Sequence, residues 1–207
     1  MSINKKIINL INRFKRRQYI KQYKNKLINR NFTIISSNCN GGFIMNDLGV
    51  KFNTPTVNLF LKPKDFNKFL LNFDKYINMD LEEEKVEDLK YPIGKLGDIK
   101  IYFQHYKSFE EAKVKWDERK KRVNLDNMFI MSTDRDGCTK EDIIQFDKLP
   151  YKNKVIFTHK IYPDIKSTFY IKGFENAGEV GVLPEFRGLT GMRYYDEFDY
   201  VKWFNGE

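Results

Sequence analysis

The 207 residues are 41% hydrophobic and 15% aromatic, enough apolar material for one substantial core and, on length, one domain. The net charge of +9 is uneven: residues 1–30 carry ten Lys or Arg and no acid, leaving the remainder at −1, which argues against nucleic acid, whose binding domains spread a basic face over the fold. Two cysteines, Cys39 and Cys138, with no apolar run near ~20 residues and no continuous apolar segment behind the first lysines, argue against a disulfide scaffold, a membrane span and a cleaved leader, and predict a cytoplasmic protein.

Ile3, Ile7, Leu10, Ile11, Phe14, Ile20, Tyr23, Leu27 and Ile28 recur at helical spacing among lysines and arginines. This predicts a basic amphipathic arm over 1–30, ahead of an α/β domain over 31–207. The arm reads first as a helix packed on the body with its cations solvated, and second as a peripheral anchor on anionic lipid at the inner face of the membrane. A strand is expected over 31–36, followed by the small polar turn Ser36-Ser37-Asn38-Cys39-Asn40-Gly41-Gly42 and a helix. A second strand is expected over 56–61 and a helix over 64–78. Residues 80–90 read as an acidic surface connection and 91–98 as a turn-rich approach to a strand at 99–103. Ser108 caps the next helix, with Glu110 and Glu111 in its first turn. Strands follow at 128–131 and 154–158, with Thr139 and Asp142 forming a capping box between them. A short strand at 168–171, a glycine-broken segment over 173–191 and an aromatic element over 194–204 complete the chain. The alternation predicts a three-layer α/β/α domain with a mostly parallel, mixed sheet, the last third being open to antiparallel strands.

Four apolar strands end in polar residues: Asn38-Cys39, His105, Asp134-Arg135-Asp136 and His159. If they are parallel neighbours, these residues share the rim where ligands bind in open α/β sheets. Cys39, at a helix start, has the setting of a nucleophile, with His105 or His159 as base, Asp134 to orient the histidine, and the Gly41-Gly42 amides as an oxyanion or phosphate cradle. Arg135 suits a phosphate or carboxylate. The plainer reading is that Cys39 is a small buried residue and the glycines shape a turn. Asp134 and Asp136 also match a D-x-D loop that grips Mg²⁺ or Mn²⁺ beneath a nucleotide sugar, although aspartates equally close turns ahead of helices. No C-x-x-C, H-E-x-x-H, G-x-G-x-x-G, P-loop or G-x-S-x-G motif occurs, which disfavours zinc chemistry, a dinucleotide fold and an α/β-hydrolase.

The stretches NFTIISSNCNGG (31–42), YPIGKLGD (91–98), His105-Tyr106, WDERKKRVNLDN (116–127), TDRDGCT (133–139) and PYKNKVIFT (150–158) together resemble the DUF1919 family. That family usually has an aromatic residue where this chain has Asn40 and Ser where it has Thr133. The resemblance implies a bacterial surface-polysaccharide context, with a polysaccharide precursor or nucleotide sugar as partner, and fixes no reaction. Asn38-Cys39 is also similar to the N-C loop of capsule acetyltransferases that use coenzyme A. Three expectations follow: an acyl-transferase using a coenzyme A thioester, a metal-dependent glycosyltransferase using Asp134 and Asp136, or a non-catalytic assembly factor held at the membrane by residues 1–30.

Overall fold

A computed structural model describes residues 3–87 and 89–207. Four strands form a wholly parallel sheet in the order β1-β5-β6-β7: β1 (Thr33–Ser36), β5 (Met128–Thr133), β6 (Lys154–Thr158) and β7 (Thr168–Tyr170). Strand alternation sends neighbouring side chains to opposite faces. Ile35, Ile130 and Ile156 enter one core, while Ile34, Phe129, Met131, Val155 and Phe157 enter the other. The first core is closed by α3 (Pro63–Leu71), α4 (Phe73–Asn78), α5 (Phe109–Lys120) and α6 (Lys140–Asp147). The second lies under α1 (Ile3–Lys26), α2 (Asn40–Leu48) and α7 (Tyr200–Asn205). The domain is therefore the three-layer α/β fold expected.

Several elements depart from the sequence reading. Residues 56–61 form no strand, because Asn58 takes φ +62 and the Val57 N–H turns back to the Pro55 carbonyl. Val57, Leu59 and Leu61 are buried all the same, so their apolar pattern reported burial rather than pairing. The helix expected over 64–78 divides at Asn72, whose φ of −126° and ψ of 44° are not helical. The acidic connection contains β2 (Glu82–Glu84), and the turn-rich approach contains β3 (Ile93–Leu96), paired with β4 (Ile99–Tyr102) around Gly97 at φ +58. These three strands make a separate antiparallel sheet, so β4 is no neighbour of β1. In the last third, β7 runs parallel to β6, and antiparallel pairing is confined to a Phe186–Arg193 bridge.

The helix α1 is fastened along one side. Asn12 donates to the Gly188 carbonyl at 2.8 Å and accepts from the Gly191 N–H at 2.9 Å, and Lys15 Nζ donates to the Leu189 carbonyl. Arg16, only 3% exposed, pairs with Asp196 and with Asp47 at 2.5 Å. Around that network, the Tyr195 hydroxyl donates to Asp47 at 2.8 Å and the Tyr200 hydroxyl to Asp196 at 3.3 Å. Burial, reinforced by Asp47 and Asp196 respectively, holds both phenols well above their usual range. The folded chain thus keeps two protons that the unfolded chain releases. That stability is complete below about pH 10 and is lost above it, at about 1.4 kcal/mol per pH unit for each phenol. The urea midpoint is expected to hold up to about pH 9 and drop beyond about pH 10, with these phenolates absorbing only as the chain unfolds. Ionisation of all tyrosines in the still-folded protein near pH 10 would contradict it.

Candidate functional site

The turn after β1 is built by its own polar side chains. Asn38 Oδ1 accepts the Asn40 N–H at 3.1 Å, satisfying a free donor at the start of α2. Asn38 Nδ2 donates to Thr133 Oγ1 at 3.0 Å, tying the end of β1 to the end of β5. Cys39 is the residue preceding α2, and its thiol points at the Leu59 carbonyl, 3.8 Å away. Burial pushes that thiol up, opposite to the activation expected from a helix start. Gly41 and Gly42 are helical rather than left-handed. A Cβ on Gly41 would lie 2.9 Å from both Ile34 Cγ2 and Ser36 Cβ, so this glycine lets α2 lie close on β1. Neither glycine lines the cleft described below, and a Cβ on Gly42 would meet only Val57 Cγ1, at 3.6 Å.

Beyond β5 the three residues Asp134, Arg135 and Asp136 diverge. Asp134 is 4% exposed, and both its oxygens are occupied. Oδ1 accepts the Val180 N–H at 2.8 Å, while Oδ2 accepts the His159 N–H at 2.8 Å and faces His159 Nδ1 at 2.5 Å. Asp136 is exposed at φ +60, with its N–H on Glu179. Asp134 is thus buried and spent on N–H donors of the protein while Asp136 stands in solvent, so the two carboxylates do not share one environment. The pairing expected between Asp134 and a histidine does form, with His159, but inside the protein.

Arg135 turns the other way. Nη1 donates to the Gly181 carbonyl at 3.1 Å, and among the described residues it has no acidic partner. It lines a cleft of about 350 Å³ with Asn38, Cys39, Asn40, Phe43, Phe60, Gln104, His105, Asp136, Gly181, Val182 and Pro184. His105 reaches this cleft although β4 belongs to another sheet. The segment 56–61 spans the gap: Leu61 donates to the Ser37 carbonyl, and Phe60 bridges Tyr102. Tyr106 then fixes the turn carrying His105, giving its hydroxyl hydrogen to Val57 and accepting from Arg119.

The position has a topological reason. From β1 the chain passes into α2 in one outer layer, and from β5 into α6 in the other. The carboxyl ends of these two adjacent strands therefore part, opening a crevice of the kind where open α/β sheets bind ligands. A larger groove of about 580 Å³ runs along β2 and Ser108, but no carboxyl end of a parallel strand contributes to it. Of the sequence candidates, Asn38, Cys39, His105, Arg135 and Asp136 meet in the cleft, whereas Asp134, His159, Gly41 and Gly42 do not line it. Sequence reasoning missed Phe43, Phe60, Gln104 and the wall at 181–184. Only Phe43, an aromatic residue one turn into α2, carried a local signal.

Two comparisons bear on this chain. A family model described as "Domain of unknown function (DUF1919)" matches residues 10–205. An uncharacterized protein of Haemophilus influenzae (strain ATCC 51907 / DSM 11121 / KW20 / Rd) is 52% identical over 200 residues, covering 97% of each chain.

Proposed function

Because the chain belongs to the DUF1919 family, whose description assigns no reaction, we propose its function from the cleft itself: transfer of an acyl group from an anionic coenzyme A thioester to a hydroxyl of a surface-polysaccharide precursor. The observation that carries this reading is Arg135, a guanidinium at the strand-end crevice with no acid against it among the described residues and one of its five N–H donors spent on a carbonyl. A permanent cation so placed selects a phosphorylated or carboxylated ligand. His105 is exposed on the same cleft and takes the part of general base. It accepts the acceptor hydroxyl's proton as that oxygen attacks the thioester carbonyl. The C–S bond then breaks, and the departing thiolate takes the proton back. Cys39, its thiol turned to the Leu59 carbonyl and pushed up by burial, is left out of this step, which is written as direct transfer. The polysaccharide acceptor rests on the resemblance described above.

The test is a thermal-shift panel of coenzyme A, acetyl-coenzyme A and nucleotide sugars, with and without Mn²⁺. At about 100 times its Kd a ligand stabilises by about 2.7 kcal/mol. Coenzyme A is expected to raise Tm. Arg135→Gln should weaken its binding about 10- to 100-fold, the value of a charged hydrogen-bonded contact. His105→Gln should leave binding intact and slow acyl transfer about 10²- to 10⁴-fold. No response to coenzyme A, or one indifferent to Arg135→Gln, sinks the reading. A shift from nucleotide sugars instead would make the donor a glycosyl one.

A further inference from the structure

We infer that the outward face of α1 docks on an anionic lipid surface. The helix carries two distinct faces. Inward, Asn12, Arg16, Tyr23 and Leu27 are engaged with the body of the fold. Outward, Ile7, Leu10, Ile11 and Phe14 recur at i, i+3, i+4 and i+7 and are 51, 69, 39 and 63% exposed. At about 100° per residue these four fall in an arc of roughly 100° that lies opposite the inward line. The outward stripe is therefore not core that happens to show at an edge.

Charge decides what covers the stripe. Lys6, Arg13 and Arg17 are exposed along one border and Lys15 along the other, and residues 1–30 contain no acid. A second copy laid on this face would set those cations against an identical set, and a neutral apolar groove would leave them idle. An anionic bilayer surface uses both features: acyl chains receive the apolar stripe and headgroups receive the cations, whose long stems let the charges reach outward. No described helix is long and apolar enough to cross a membrane, so the contact is one of lying on the surface. This inference does not depend on the reaction at the cleft. The two are linked along the chain, since the residues that α1 grips at 188–191 follow shortly after the cleft wall at 181–184.

The full chain would be sedimented with vesicles of phosphatidylcholine alone and with vesicles containing about 30% phosphatidylglycerol, a composition that supplies the negative surface potential. Binding to the anionic vesicles, falling with salt, is expected. The pair Leu10→Glu and Phe14→Glu should weaken it at least about tenfold. Arg13→Gln with Arg17→Gln should weaken it about thirty-fold. All four positions are exposed, so Tm should be unchanged, which separates lost docking from lost folding. Wild type remaining in the supernatant overturns the inference, as does full binding by the Leu10→Glu, Phe14→Glu protein. A wild-type dimer that this double substitution dissociates would also overturn it, by showing a second copy on the stripe.

Discussion

Replacing Arg16 by Met is expected to destabilise the protein by about 3–5 kcal/mol, the cost of breaking a buried charge network from one side. The guanidinium forks between Asp47 and Asp196, which are 5% and 8% exposed. It also lies 5.7 Å from the Tyr195 ring centroid and 6.0 Å from that of Tyr23. Met fills much of the volume but leaves two carboxylates out of water, with Arg193 the one cation nearby among the described residues, its Nε 3.8 Å from Asp47. Tm should fall by about 6–20 °C for a chain of this size. Lys at position 16 keeps the charge but not the planar fork, so an intermediate loss is expected.

The network also fixes the sign of a pH effect. Burial raises the Asp196 carboxyl even with Arg16 opposing it. The folded state therefore holds this proton more tightly than the unfolded chain, and stability contributed here falls as pH rises through the folded pKa. Without Arg16 the opposition is gone, so the deficit of Arg16→Met should be smaller near about pH 5 than near about pH 7. Urea unfolding of both proteins at the two pH values checks it. A loss under about 1 kcal/mol at pH 7 would show that the network is not coupled to global stability.

What the sequence made legible was local. The strand, polar turn and helix of 33–48 form as read, Ser108 accepts the Glu111 N–H, and Thr139 and Asp142 close their capping box. Each depends on residues within a few positions of one another. Sheet membership does not: Ile99–Tyr102 is a strand in either sheet, and only the packing of 56–61 between Ser37 and Tyr102 places His105 at the crevice. Arg16 was equally hidden. Among ten cations in thirty residues nothing marks the one whose partners lie 31 and 180 positions away. Asp134 and Asp136 look equivalent as a motif, yet the left-handed φ at Asp136 turns one carboxylate out while the other is captured.

That capture makes Asp134 the second position of large effect. Asp134→Ala is expected to cost about 3–5 kcal/mol, since it strands the buried N–H groups of His159 and Val180 at about 1–3 kcal/mol each and removes the partner of the His159 ring. Asn should cost roughly half of that, because its amide has one acceptor where the carboxylate offers two. The loss should reach function as well. Asp134 joins the ends of β5 and β6 to residue 180, one position before the wall of the cleft at Gly181, which Arg135 also grips. With the carboxylate gone, that wall loses the fastening at its start although Arg135 and His105 are untouched, while Arg193 still holds the Pro184 carbonyl at its far end. Weaker coenzyme A stabilisation in Asp134→Asn, measured below the Tm of the variant, is therefore expected alongside its lower urea midpoint. If stability falls while ligand affinity stays at the wild-type value, Asp134 braces the fold alone and the remaining bonds of the wall, from Arg135 to Gly181 and from Arg193 to Pro184, suffice to shape the site.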